Sequence, residues 1–495
     1  MRTITPAAAF EAVRARRPEW VLLDLRERGE ASLGQPFGAI NLPYSRLEAL
    51  APALLPRRAV ALALIDGGDG VAVRAARRLA PLGYRDFAVV EGGIPAWAAA
   101  GLALFEGVHV ASKAFGEWVE RRFAVPSIAP GALAEAQRKG TAPLVLDVRP
   151  EAEYRRFSLP ASRSCPNGEL AARLDALAGR VAVHCAGRTR SLIGAQTLRD
   201  LDPTLDVVAV RDGTQGWQLA GLDRAEAPDA APVPASPDGG RSAAQGLIAR
   251  FALPVIDTAE AARLAAEAGR TGYFLDVSGS APPAGFRAVD ATTLIQQTDR
   301  FIAVQGARVV LHDPSMARAA FAAHWLRRMG HEALILDGAP PDLPATPAPA
   351  IAAPAALEPA ALGGVEAALL DLRPGAEHAV RPAGARWTIR PRVVADAQAE
   401  RVVLIGDDVA TGLAAIDLAE AGIAVLGRLT GDAADWARAG MAVARDADPA
   451  PRLDAELFCP GRHRGDLADA AAYLAWEHGL LDRLAAAGID PGWRA

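Results

Sequence analysis

The residues with the most chemical potential in this chain lie in one short loop, "HCAGRTRS", where Cys185 ends an apolar run and Ala186, Gly187, Arg188, Thr189, Arg190 and Ser191 follow. A cysteine thiolate is a strong nucleophile, and its usefulness depends on what stabilises the negative charge. This loop offers three such features. It curls from a strand toward a helix N-terminus, where free backbone N–H groups and the helix dipole favour an anion. Arg188 and Arg190 add fixed positive charge that is expected to hold an anionic substrate in the loop 186–191, and Gly187 lets the backbone approach the sulfur closely. A small buried cysteine with only a packing role would need none of these neighbours. His184 belongs to the strand, and alternation directs it away from Cys185, so it is expected to pack and not to act as a base.

A nucleophile in that position needs a buried strand before it and a helix after it, which places it at the carboxyl edge of a parallel α/β sheet, where such folds bind ligands. The same setting recurs along the chain. An apolar strand ending in aspartate appears four times, at Asp24, Asp147, Asp276 and Asp371, and three copies continue Asp-x-Arg with Arg26, Arg149 and Arg373. The third has Ser278 where the arginine would stand. A second apolar run follows each, and aligning these runs puts Asp66, Cys185, Asp313 and Gly406 at one position. The organisation read from this is four α/β units at 1–106, 107–226, 242–340 and 358–447, the last degenerate, with a helical extension at 448–495 packed on the body. The Pro- and Ala-rich stretches "APDAAPVPASPDGGRS" and "APPDLPATPAPAIAAPAA" read as linkers. Between units one and two, Phe115, Trp118 and Phe123 read as a docking helix.

Composition bounds the partners. The 495 residues are too many for one hydrophobic core, and the hydrophobic and charged fractions suit globular domains. A net charge of −5, with lysine only at Lys113 and Lys139, leaves no basic footprint for nucleic acid. No apolar run has the length of a membrane span, and the N-terminus lacks a signal-peptide core, so a cytoplasmic location is expected. Three cysteines, Cys165, Cys185 and Cys459, cannot make a disulfide framework for a chain of this size. Cys165 reads as a bystander thiol. Cys459 and His463 have a metal-like spacing but no second pair of ligands nearby, so no metal is expected.

The second unit resembles a rhodanese homology domain. The likeness is carried by Asp147, Arg149, Glu153 and Tyr154, by Leu159, Pro160 and Ala161, and by Cys185, Gly187, Arg190 and Ser191. The whole chain is similar to a bacterial sulfurtransferase built from four rhodanese repeats, of which only the second carries the loop cysteine. The resemblance implies tandem domains, each a parallel sheet flanked by helices, and a persulfide carried on Cys185 without a cofactor. It also implies a small sulfane donor such as thiosulfate and a cyanide or thiol acceptor. A sulfur relay that receives its sulfur from a protein is the alternative. Asp147 and Arg149 are expected to form an ion pair that braces the site. Relatives that use mercaptopyruvate place an arginine where this chain has Glu153, which argues against that donor. Loop length separates a second chemistry on the same fold: cysteine phosphatases have five residues between Cys and Arg, whereas here Arg190 follows after four and Ser191 stands where that arginine would be.

Overall fold

The computed structural model describes residues 2–345, 350–445, 453–456 and 466–495. The chain divides into two compact units, one from residues 1–10, 21–107 and 347–457, the other from 11–20, 108–346 and 458–495. Each unit holds two five-stranded sheets, and all four share one order: the strand earliest in the chain lies at an edge, followed by the fifth, fourth, second and third. Strand pairs within these sheets run parallel. Parallel neighbours need long crossovers, and helices supply them here, so the fold is α/β, with parallel sheets in tandem and helices on their faces.

The fourth strand of each sheet is central and lies at Ala61–Ile65, Arg180–His184, Arg308–His312 or Arg401–Ile405. Its residues are apolar and buried almost throughout, as expected of a strand covered on both faces. The residue after it is Asp66, Cys185, Asp313 or Gly406, the position on which the sequence repeats align.

In the first unit, Arg390 is buried between two carboxylates, donating to Glu48 (2.5 and 2.8 Å) and Asp417 (3.1 Å), and Tyr44 donates to Asp417 (2.9 Å). In the second, the helix Thr189–Leu201 is buried nearly all round, although Arg190, Gln196 and Asp200 among its buried residues are polar. Helices Val110–Phe123 and Pro237–Phe251 pack on it, and Ala317–Arg328 reaches its far end through polar contacts. There Asp200 accepts from His324 (2.9 Å) and Arg328 (2.7 Å), and the Trp325 indole donates to Thr197 (2.9 Å). Phe115 stacks on Trp118 and meets Trp325 and Trp493 edge-on, so the segment read as a docking helix belongs to this unit.

One linker is corrected. The end of "APDAAPVPASPDGGRS" is the start of the helix Pro237–Phe251, whose N-cap Ser236 accepts from the Gly239 amide (3.0 Å). Ser-Pro at N-cap and N1 is a helix-start signal, obscured in the sequence by the prolines and alanines before it. Among the described residues, no helix is long and apolar enough to cross a membrane.

Candidate active site

Cys185 follows the strand Arg180–His184, which pairs with Leu144–Asp147 on one side and Asp206–Val210 on the other. Its side chain is 2% exposed. The sulfur donates to Ser191 Oγ (3.6 Å), which in turn donates to the Arg188 carbonyl (2.7 Å). The helix that begins at Thr189 has no side-chain cap from its N-cap residue, Arg188. The N–H groups of its first turn have no intrahelical acceptor. A second helix, Gly213–Leu219, pins the loop from outside: Thr214 N donates to the Cys185 carbonyl (2.9 Å) and Gln215 N to that of Ala186 (3.0 Å). Gly213 permits this approach, because its φ is +55° and a Cβ there would collide with the Cys185 carbonyl.

The bracing pair expected from the sequence is present. Arg149 Nε donates to Asp147 Oδ1 (2.9 Å) and its Nη2 to Oδ2 (2.7 Å), both side chains being buried. Burial pushes the Asp147 carboxyl up, but His184, Arg149 and the Ser158 hydroxyl outweigh it and hold it down at about 2. His184 is buried with Nε2 3.4 Å from Ser158 Oγ and Nδ1 3.4 Å from the Cys185 carbonyl. Burial also lowers its pKa. Its ring engages the strand's surroundings and not the sulfur, in keeping with packing. Arg190 donates twice to Glu153 (2.6 and 3.0 Å), and Arg149 lies 3.9 Å from the same carboxylate. Asp147, Arg149, Glu153 and Arg190 thus form one chain of charges under the loop.

Arg188 is a correction. It was expected to face an anionic donor, but its guanidinium is 4% exposed and turned into three carboxylates. It donates to Glu117 (2.7 and 3.0 Å), to Asp212 (3.0 Å) and to Glu120. A guanidinium has five donors in a fixed fork, and these acids take up its donor nitrogens, so it anchors the loop to its neighbours and offers no free charge to a substrate. Glu153 takes two of the Arg190 donors, and the Arg190 charge also acts on Cys185, so this guanidinium stays beside the sulfur as a fixed positive charge.

The sequence did not point to the groups that hold the loop from a distance. Thr189 Oγ1 donates to Glu477 (2.6 Å) on the C-terminal helix Leu467–His478, and Lys113 Nζ lies 3.7 Å from the same carboxylate. The extension read as packing on the body lies over the site loop. No motif links residues 288 positions apart, although Lys113 is one of only two lysines in the chain. Cys165 is fully buried, and desolvation pushes its thiol up to about 12, which keeps it out of thiolate chemistry. Cys459 and His463 lie outside the described residues.

Two of the other aligned loops carry a carboxylate in place of the thiol. Asp66 accepts from the amides of Gly68 and Ala72 (2.9 Å each), and Asp313 from those of Ser315 (3.2 Å) and Arg318 (2.8 Å). In the fourth sheet, Asp407 caps the helix by accepting from Ala410 N (2.7 Å). Ala72 and Arg318 are the second residues of their helices, and the counterpart in the cysteine loop is Arg190.

Comparison with known proteins agrees with this geometry. The rhodanese-like domain family matches residues 10–100 and 129–220. The crystal structure of a thiosulfate sulfurtransferase from Pseudomonas aeruginosa is 33% identical, covering 99% of this chain and 98% of its own, with a TM-score of 0.87. A rhodanese-related protein from Thermoplasma volcanium is 30% identical over 21% of this chain and 97% of its own (TM-score 0.19). A protein from Anabaena sp. is 22% identical over 21% of this chain and 82% of its own (TM-score 0.20). No curated protein matches. With a full-length relative at this identity, a matching domain family and a cysteine at the sheet edge, the chain belongs to the rhodanese-like family of sulfurtransferases.

Proposed function

We propose that this protein is a thiosulfate sulfurtransferase in which Cys185 carries the sulfur. The observation that carries the reading is the loop itself: among the four aligned loops, it has a thiol where two others hold a carboxylate against the helix amides. The name of the Pseudomonas aeruginosa relative supports thiosulfate as the donor. In the first half-reaction the Cys185 thiolate attacks the outer sulfur of thiosulfate; the new S–S bond forms as the bond to the sulfonate sulfur breaks, and sulfite leaves with that electron pair. The enzyme is left as Cys–S–S⁻, with the amides of the loop and first helical turn placed to stabilise the charge. In the second, cyanide or a thiolate attacks the outer sulfur and Cys185 leaves as thiolate. Ser191 orients the sulfur, Arg188 and Arg190 fix the loop through their carboxylate partners, and Asp147 with Arg149 holds the strand end.

The deep placement of Cys185 favours small donors and acceptors over a sulfur relay between proteins. The test is mass measurement of the Cys185 peptide after incubation with thiosulfate, followed by cyanide. A gain of one sulfur atom, lost again as thiocyanate appears, is the expected result. Loading only from a donor protein would replace this reading with the relay. Sulfur on another residue would remove Cys185 from it.

A further inference from the structure

The C-terminal helix Leu467–His478 places a buried carboxylate against the cysteine loop from outside it. Glu477 has no exposed surface. Its Oε1 accepts from Thr189 Oγ1 (2.6 Å) and Tyr473 Oη (3.3 Å) and lies 3.7 Å from Lys113 Nζ. Among the described residues its Oε2, which is buried, has no hydrogen-bond partner, and it lies close to Gly187. A Cβ at Gly187 would come 3.2 Å from that oxygen and 3.0 Å from the Tyr473 ring. A side chain at Gly187 would therefore press on the helix packed above it. Thr189 is the first residue of the helix that follows the loop, and Gly187 is two residues from Cys185. A carboxylate seated on both contributes to the charge that a loop anion experiences, and a buried charge is screened far less than an exposed one.

We propose that Glu477, paired with Lys113, is a positioning residue for Cys185: the pair seats the Gly187–Thr189 turn and sets the field at the sulfur. This rests on the reading of Cys185 as the nucleophile. The sign follows from the order of the charges. Glu477 touches the loop and disfavours a second negative charge there, while Lys113 stands behind it and offsets that effect. Among the neighbouring charges, Arg188 lies among Glu117, Glu120 and Asp212 with His478 beside the latter (3.4 Å), while Arg190 is held by Glu153 and also acts on Cys185, a contribution common to the wild type and the variants below. Asp147, Arg149 and His184 lie under the strand end.

The test is the pH dependence of iodoacetamide alkylation of the Cys185 peptide in the full chain, read by mass without any sulfur donor. Glu477→Gln should move the midpoint down by about one pH unit and Lys113→Met should move it up by about one, the scale of one charge at a partly buried separation. Glu477→Asp keeps the charge but withdraws it from Thr189, so it should hold the midpoint and slow alkylation. Folding is checked by thermal melting, and any one of these variants that folds decides. In either charge-removing variant that folds, a midpoint that stays at the wild-type value or moves against the stated direction overturns the proposal. Because no sulfur is transferred, those outcomes leave the sulfurtransferase reading intact; failure of thiosulfate to load Cys185 would overturn that reading and leave this one standing.

Discussion

The loops after His184 and after His312 occupy the same place in two sheets of one unit, yet their helices begin in opposite ways. Asp313 closes its loop from within, since its carboxylate accepts two backbone amides and the Ser315 hydroxyl (2.8 Å). The anion is permanent and covalently tethered. In the Cys185 loop the same place holds a thiol whose contact is a long one to Ser191, and among the described residues no side-chain carboxylate is seen to cap the start of the helix. Such a cradle can take up and release a charge that arrives with chemistry. One residue type therefore separates a helix cap from a site for a transient anion. Around this open cradle the charges are closed instead, with Arg188 and Arg190 matched by carboxylates, so the loop is held rigid by pairs that a substrate need not touch.

The largest test converts one loop into the other. Cys185→Asp should abolish sulfur transfer to thiocyanate by several orders of magnitude, because no nucleophile remains. It should also raise the unfolding midpoint, since a carboxylate facing helix N-terminal amides contributes about 0.5 to 2 kcal/mol. Cys185→Ser should be equally inactive without that gain. If Cys185→Asp melts below Cys185→Ser, the two loops do not share one cradle.

Arg188→Met sharpens the other half of the contrast. It leaves Glu117, Glu120 and Asp212 without their common guanidinium, and breaking a buried pair of this kind costs about 3 to 5 kcal/mol. Turnover should fall by the same factor with thiosulfate and with an uncharged sulfane donor. A selective loss with thiosulfate would return Arg188 to the substrate.

The sequence was most legible where chemistry is local. Asp147 and Arg149 are two residues apart, and the four aspartate-ending strands carry their own period, so the sheets and the bracing pair could be read directly. Glu153 was singled out, but its partner Arg190 lies 37 residues away and was read as a substrate ligand. Arg188 was misread for a related reason: a loop arginine beside a cysteine suggests an anion ligand, while the three acids that claim it come from the helix Val110–Phe123 and from the turn at Asp212. Glu477 was invisible, since only packing brings the C-terminal helix to Thr189. Local pattern encodes elements, and the charge balance of the site is set by tertiary neighbours.

That balance predicts a pH dependence. Burial raises the Glu117 carboxyl from 4.5 to about 7, against the pull of Arg188. A carboxyl with a raised folded value contributes stability that is full below its unfolded pKa and lost as pH rises through the folded one. The urea midpoint should therefore fall between about pH 4.5 and 7, by an amount corresponding to about 3 kcal/mol at most. Glu117→Gln should flatten that slope, leaving the part owed to Glu27, which burial also raises to about 7. An unchanged slope in Glu117→Gln would mean that the Arg188 cluster keeps its charge across the range, and the rigid frame around the open cradle would then be independent of pH.

The smallest expected effect concerns the closed loop. Asp313→Asn keeps one acceptor oxygen and replaces the other with an amide donor, which must face either the Ser315 amide or the Arg318 amide and Ser315 hydroxyl. One cap interaction is lost together with the charge that complements the helix dipole, a cost of about 1 kcal/mol. Hydrogen exchange at Ser315 and Arg318 should quicken correspondingly, while sulfur transfer through Cys185 keeps its rate, because the Asn side chain alters the start of a different helix. Unchanged exchange at both amides would show that the loop geometry, and not the tethered carboxylate, closes the third cradle, and the difference between the two loops would then have to lie in their backbones.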